Sequence, residues 1–184
     1  MFLIVKKTTP KIAGELRKII AKSRFIKISV RFMKLNLGIM ITTKCNRACP
    51  HCMFFCSPKN KKAVNLNIDK ALKFIKTIPR MVDINEICIY GGEPTLYYKL
   101  LKYFISRLPR ARRIQILTNG YFKDKKQLNK FELFCKWFNK KNNFVKISND
   151  KYHDIFQDRK QLNELIKIYP NLVWKRREDP KEFI

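Results

Sequence analysis

The sequence predicts an α/β fold in which parallel strands alternate with helices. From Leu35 onward, short apolar runs alternate with segments whose apolar residues recur at helical spacing. This alternation is typical of parallel strands joined by right-handed helical crossovers. Polar and glycine-containing motifs follow several of the apolar runs, at the carboxyl ends where such sheets bind ligands. The pattern and the position of the motifs therefore indicate the same architecture.

The predicted elements follow one another in a regular order along the chain. Each strand candidate contains a short run of apolar residues, and each helix candidate has apolar residues three or four positions apart. Strands are expected at 35–42, 84–90, 112–118, 143–148 and 171–176. Helices are expected at 68–78, 97–108, 124–139 and 158–168.

The first part of the chain has a different, strongly basic pattern. Residues 9–22 have apolar side chains at helical spacing with Lys and Arg between them, and residues 26–32 alternate as in a strand. We therefore divide the chain into a basic amphipathic extension, 1–34, and an α/β domain, 35–184. We expect the extension to cover the end of the sheet. Binding of an acidic partner or a membrane surface is the alternative.

Length and composition exclude several classes of protein. The chain has 184 residues, of which 46% are hydrophobic, so it can bury a core and is not a disordered polymer. It contains no stretch of eighteen apolar residues, and we therefore expect no membrane span. The first residues lack the long apolar centre and cleavage site of a signal peptide. We expect the protein to stay in the cytoplasm.

The formal net charge of +27 is large for a chain of this length. A field of that size attracts polyanions such as RNA. The lysines, however, are scattered through nearly every segment, which indicates a general compositional bias as much as a binding face. Nucleic-acid binding is therefore an alternative and not the favoured interpretation.

Three cysteines, Cys45, Cys49 and Cys52, are crowded into one short segment with the spacing Cys-x3-Cys-x2-Cys. Three thiolates can hold three irons of a four-iron cluster and leave the fourth iron open to a small molecule. Cys56 lies close by, so the cysteines alone also allow a structural zinc site with four thiolates. Cys88 lies in an apolar run and is expected to be an ordinary buried thiol, as is a sixth cysteine in a helical pattern, Cys135.

Three further motifs follow the cysteines, each directly after an apolar run. They are Gly-Gly-Glu-Pro at 91–94, Thr-Asn-Gly at 118–120 and Ser-Asn-Asp at 148–150. With the cysteine segment, these motifs resemble those of the radical S-adenosylmethionine (SAM) enzymes, in the family's order. The context after strands is what makes such short motifs informative, and it favours a cluster over zinc. The residues 91–96, GGEPTL, look most like members that mature peptides or proteins.

The resemblance implies a partial (β/α) barrel of the radical SAM type. Such barrels usually have six strand-helix units, whereas this sequence supplies about five strands and ends soon after Trp174. The expected protein is therefore a truncated barrel, which is a minimal enzyme, a degenerate remnant, or one completed by a partner or by a second copy in a homodimer. No second cysteine cluster follows Cys135, so auxiliary clusters are not expected.

The resemblance also implies two cofactors, a [4Fe-4S] cluster and SAM. Cys45, Cys49 and Cys52 would hold the cluster. The cofactor-binding positions carried over from the family, or matched to its pattern, are His51, Gly91, Gly92, Glu93, Pro94, Asn119, Ser148 and Asp150. In the family, the position of His51 commonly faces the adenine, the loop 91–94 binds the methionine amino group, and the position of Ser148 and Asp150 contacts the ribose. An ordinary polar turn at 148–150 is the alternative.

No catalytic residue follows from the sequence, although His153 could move a proton or hold the substrate. The leading hypothesis is a radical SAM enzyme that cleaves SAM reductively and abstracts hydrogen from a peptide, a protein or another macromolecule. A reductant protein such as flavodoxin or ferredoxin would serve it. The alternatives are a small activase that installs a glycyl radical on a partner, and a non-catalytic iron-sulfur or zinc module associated with RNA.

Overall fold

The computed structural model describes residues 33–79, 81–108, 111–139 and 142–175. The helix predicted at 9–22 and the strand predicted at 26–32 lie outside these ranges. The first strand already includes residues 33 and 34, which the sequence assigned to the extension.

Five parallel strands form one sheet whose spatial order is the order of the sequence. They are β1 (Met33–Thr42), β2 (Val82–Gly91), β3 (Arg113–Thr118), β4 (Asn143–Ile147) and β5 (Leu172–Trp174). Each strand pairs with the next one in the sequence, and the crossover that connects the two contains a helix. The predicted α/β fold is confirmed, and five strands joined in this way are consistent with a partial barrel.

The helices of the crossovers are α1 (Ile68–Thr77), α2 (Tyr98–Arg107), α3 (Lys125–Phe138), α4 (Lys151–Asp154) and α5 (Arg159–Ile168). A short 3-10 helix, Pro94–Tyr97, precedes α2. All the predicted helices in the described ranges are present within a few residues of their expected ends. The sequence did not predict α4, which is too short to show helical periodicity. Within the same ranges, no helix is long and apolar enough to cross a membrane.

Local side-chain chemistry sets where three of the helices begin. The side chains of Asn67, Asp124 and Asp158 accept hydrogen bonds from backbone N–H groups three residues later, at the starts of α1, α3 and α5. These contacts satisfy N–H groups that have no partner within the helix. The apolar faces of the helices then pack against the sheet.

One hydrophobic core lies between the sheet and the helices. In β1, Leu37, Ile39 and Ile41 are buried and alternate with less buried residues, which shows that one face of the strand contacts the core. The core also contains several fully buried residues from the helices: Leu101, Phe104, Phe131, Phe134, Phe138 and Leu162. On its other face the sheet presents half-buried side chains, such as Cys88 and Tyr90. The carboxyl ends of the strands open onto that side.

Candidate functional site

The loops that follow β1, β2, β3 and β4 surround one cavity of about 560 Å³. The predicted residues that line it are Cys45, Cys49, His51, Cys52, Gly91, Gly92, Asn119, Ser148, Asp150 and His153. Glu93 and Pro94 are not among the lining residues. Segments that are distant in the sequence therefore meet because parallel strands end at the same edge of the sheet.

The cysteine loop begins after β1 and contains two successive turns. The N–H of Cys52 donates to the carbonyl of Cys49 over 3.1 Å, and the N–H of Phe55 donates to the carbonyl of Cys52 over 3.1 Å. These turns hold Cys49 and Cys52, both half-buried, at the cavity that buried Cys45 also lines. Backbone hydrogen bonds thus fix the turn between Cys49 and Cys52, and the three cysteines line the same cavity.

Two N–H donors approach the sulfur of Cys45. The backbone N–H of Arg47 lies 3.4 Å from this Sγ, and the side-chain amide Nδ2 of Asn119 lies 3.7 Å from it. Burial raises the pKa of the Cys45 thiol to about 11, and the Arg47 hydrogen bond opposes that rise. Burial also raises the pKa of Cys49, followed by the charge of Cys52. Metal binding to these thiols therefore releases protons.

Gly91 and Gly92 hold the end of β2 against the cysteine loop. The N–H of Gly92 donates to the carbonyl of Thr42 over 2.8 Å. A Cβ atom at Gly91 would lie 2.3 Å from the Thr42 carbonyl oxygen, and one at Gly92 would lie 2.2 Å from that of Lys44. The close approach permitted by the glycines is therefore to the backbone of this loop. A contact between the glycines and SAM stays a prediction.

The Glu93 side chain is fully buried and connects the ends of two strands. Its Oε1 accepts hydrogen bonds from the backbone N–H and hydroxyl of Thr95 and from the hydroxyl of Thr118, while Oε2 accepts the Asn119 N–H over 2.8 Å. Burial raises the pKa of this carboxyl group, and the hydrogen bonds oppose the rise. The carboxylate thus links the loop after β2 to the loop after β3. Pro94 is also buried, at the start of the 3-10 helix.

Asn119 joins the end of β3 to the cysteine loop. Its Nδ2 donates to Oδ1 of Asn46 over 2.8 Å, and its Oδ1 accepts the backbone N–H of Tyr121 over 2.9 Å. Asn46 in turn donates from Nδ2 to the carbonyl of Tyr121 over 3.1 Å. Asn119 therefore fixes the loop that carries Cys45 as well as lining the cavity.

Asp150 and His153 form a pair at the end of β4. Asp150 begins α4 by accepting the N–H groups of Tyr152 and His153, and its Oδ2 lies 2.7 Å from Nδ1 of His153. Burial raises the pKa of Asp150, but the contacts with His153 and the backbone N–H groups of Tyr152 and His153 together leave the pKa below its ordinary value. The His51 ring stacks on Tyr152 at 4.4 Å and lies 5.3 Å from the His153 ring. The ring of His51 and the carboxylate of Asp150 thus meet at one wall of the cavity.

Residues 39–168 match the family model of the radical SAM superfamily. The chain belongs to the radical SAM superfamily.

Two relatives come from Bacillus subtilis strain 168. The radical SAM chain is 25% identical over 152 residues to YydG, whose name connects it with peptide biosynthesis, and this match covers 74% of the chain and 43% of YydG. It is 37% identical over 91 residues to the protein YfkA, and that match covers 46% of the chain and 23% of YfkA. The chain thus spans less than half the length of these relatives.

The residues around the cavity fit a radical SAM cluster. Three thiols line one space, and N–H donors at the Cys45 sulfur favour its thiolate form. Members of the superfamily use a [4Fe-4S] cluster together with SAM. Cys56 also lines the cavity; it is buried, and its pKa is raised to about 12, by burial first. Four thiols therefore line the same cavity, and the iron and zinc content of the protein distinguishes a cluster from a zinc site.

The structure identifies two positioning residues that the sequence did not single out. Gln157 is buried, and its Nε2 donates to the carbonyls of Asn119 and Ser148 over 2.7 and 2.9 Å. Arg47 places its guanidinium over the Phe156 ring at 4.2 Å, which anchors the radical SAM cysteine loop to the segment after α4. Gln157 lies outside the motifs, and Arg47 lies at an unspecified position between the first two cysteines of the cysteine motif. The contacts with Asn119 and Phe156 join segments that are distant in the sequence.

Proposed function

We propose that this chain is the catalytic core of an enzyme that cleaves SAM reductively and abstracts hydrogen from a peptide or protein. The observation that carries the proposal is the convergence of three thiols and the ends of β2, β3 and β4 on one cavity. A purely structural thiolate site does not need polar groups from three neighbouring strands around it.

When bound, the cluster and SAM supply the reductive cleavage that yields methionine and a 5′-deoxyadenosyl radical. The chain supplies binding, orientation and exclusion of water. Cys45, Cys49 and Cys52 would hold the cluster, while Ser148 and Asp150 would bind the nucleoside. The remaining contacts with SAM would come from His51 and the loop 91–94. The walls of the cavity would keep water from the reacting groups.

Two observations support a peptide or protein as the substrate. YydG, whose name connects it with peptide biosynthesis, matches 74% of the chain. The sequence GGEPTL at 91–96 also resembles members that mature peptides or proteins. The same enzyme requires a one-electron donor, for which we propose a flavodoxin or a ferredoxin. Completion of the barrel by a partner or a second copy is part of this proposal.

Anaerobic reconstitution with iron and sulfide tests the proposal. The native chain should bind about four irons and four sulfides and, after reduction with SAM, form 5′-deoxyadenosine. Cys49→Ala should form none, whereas Cys88→Ala, a matched control outside the cavity lining, should retain the product. Zinc without iron, or a complete cluster that yields no 5′-deoxyadenosine with any reductant, would contradict catalysis by this chain.

A further inference from the structure

Apolar side chains are exposed beside the candidate SAM cavity. Met53, Phe54 and Phe55 follow the last cluster cysteine, and their exposed fractions are 81%, 39% and 87%. Tyr152, exposed by 39%, stacks on His51 at the same cavity. We call Met53, Phe54, Phe55 and Tyr152 the apolar rim. Met53, Phe54 and Phe55 are consecutive, and exposed apolar patches mark binding surfaces in many proteins.

The backbone turn at Phe55 holds its side chain towards solvent. Phe55 has a φ of 51°, in the left-handed region that bulky residues rarely adopt. Its N–H bond to the Cys52 carbonyl fixes this turn, and the Phe54 ring stacks on Tyr90 at 5.6 Å. Strained backbone of this kind is concentrated at ligand-binding sites. The exposure of Phe55 is therefore built into the turn that also positions the cysteines.

The segment that carries Met53, Phe54 and Phe55 is basic and contains no acidic residue, whereas Tyr152 of the rim has Asp150 and Asp154 two positions away on either side. Residues 33–68 include no Asp or Glu, and Lys59, Lys61 and Lys62 are exposed directly after the rim. On the other side of the cavity, the ammonium group of Lys151 lies 5.1 Å from the centre of the Tyr152 ring. The surface thus combines apolar side chains with positive charge.

We propose that the apolar rim and Lys59, Lys61 and Lys62 form the docking site for an acidic peptide substrate that carries apolar side chains. This inference rests on the proposed function and names the substrate class. Apolar side chains of the peptide pack on the rim, and its carboxylates face the three lysines. Met53 and Phe54 also line the cavity, so a peptide seated there reaches the reacting groups.

The charge of the surface argues against a second copy, and the proposed function favours a peptide over a nucleic acid. A second copy on this surface would bring its own excess of positive charge next to the three lysines, which disfavours that occupant here. A nucleic acid would use the lysines and stack its bases on the phenylalanines, so the RNA measurement below has to separate it from a peptide. An acidic, partly apolar peptide complements both properties of the surface.

The test is binding of a labelled probe peptide to the reconstituted chain with SAM, measured by fluorescence anisotropy. The probe contains glutamate and leucine in a glycine-serine background, and two companions replace leucine by serine or glutamate by glutamine. Phe55→Ser should weaken binding of the probe by about tenfold, and Phe55→Leu should restore most of it. The matched control Leu133→Ser removes an apolar side chain on α3 that is exposed by 64%, and it should leave binding unchanged.

The lysines are tested with two triple variants of equal charge. Changing Lys59, Lys61 and Lys62 to glutamine should weaken binding by at least about tenfold, while the same change at Lys70, Lys73 and Lys76 on α1 should have a smaller effect. Equal losses in both variants would show general attraction by the net charge and overturn the proposal. Binding that does not require leucine in the probe would overturn it as well.

Two further measurements separate the alternatives. Tighter, rim-dependent binding of a single-stranded RNA oligomer would assign the surface to nucleic acid, and a dimer in sedimentation that Phe55→Ser dissociates would assign it to a second copy. Either result overturns the peptide proposal. Formation of 5′-deoxyadenosine by the native chain without peptide tests the proposed function separately, so the two proposals can fail independently.

Discussion

At position 92 there is no room for a methyl group. A Cβ atom there would lie 2.2 Å from a backbone oxygen of Lys44, and backbone cannot move aside as a flexible side chain can. The neighbouring N–H of Glu93 donates to the same oxygen over 2.8 Å. Gly92 therefore controls the position of the cysteine loop without touching a cysteine side chain.

We expect Gly92→Ala to lower the free energy of unfolding by about 2 kcal/mol and to reduce iron loading, because the loop must move away from β2. Urea unfolding and iron analysis check this expectation. The control is Gly38→Ala, whose Cβ would meet a movable side chain, Tyr90, at 3.0 Å. If the two substitutions had similar effects, close packing against the backbone of Lys44 would not be the reason for glycine at position 92.

Single residues differed in how far the sequence could predict them. The thiols and glycines stand at short, fixed spacings, so their motifs could be read directly, and the cavity brings them together as expected. For Glu93 the motif predicted a ligand-binding loop, but the structure shows a buried carboxylate that bonds to the protein itself. Asn46 was assigned no role, since its partner Asn119 is 73 positions away.

Between elements, the ends of β2 and β3 are held together by one carboxylate. Both Glu93 oxygens accept hydrogen bonds, and one of them accepts the backbone N–H of Asn119, which cannot turn away. An amide in place of the carboxylate has only one accepting oxygen. The NH2 group of glutamine would then face a buried N–H of Thr95 or Asn119, which would have no acceptor.

Glu93→Gln should therefore destabilise the fold by about 1–3 kcal/mol, the cost of leaving a buried polar group unsatisfied. The measurement is the midpoint and slope of urea unfolding. As a control, Glu164→Gln removes an exposed ion pair with Lys167 at 3.0 Å and should cost less than about 1 kcal/mol. If Glu93→Gln were as stable as the native chain, the buried carboxylate would not link the two strand ends.

Among the elements, the long periodic ones were predictable and the short one was not. The predicted helix at 68–78 and strand at 84–90 agree closely with α1 and β2, because their apolar residues contact a continuous core. Helix α4 has only four residues and depends on the Asp150 cap and its bond to His153. Such a turn follows from local hydrogen bonds and has no sequence period.

For the molecule as a whole, 41 basic residues face only 14 acidic ones. Repulsion among like charges destabilises a compact chain, and added salt screens it. The free energy of unfolding should therefore depend on ionic strength in a definite direction.

We expect the unfolding temperature to rise when sodium chloride increases from about 50 mM to about 500 mM. Circular dichroism measures the transition, and a series with potassium chloride controls for effects of the cation. A series with sodium sulfate at equal ionic strength reports any specific anion binding. A fall in the unfolding temperature with salt would show that favourable ion pairs outweigh the self-repulsion.

Sequence patterns alone were enough to predict the strand-helix alternation, the resemblance to the radical SAM enzymes and the order of the site-forming loops. These features depend on apolar periodicity and short spacings, which act over neighbouring residues. The folded structure was needed to show that Glu93 faces inward, that Gln157 and Arg47 hold the loops, and that Phe55 is exposed beside the cavity. The inward position of Glu93 and the contacts of Gln157 and Arg47 depend on partners from other loops, and parallel pairing brings such partners together at one edge only after the chain has folded.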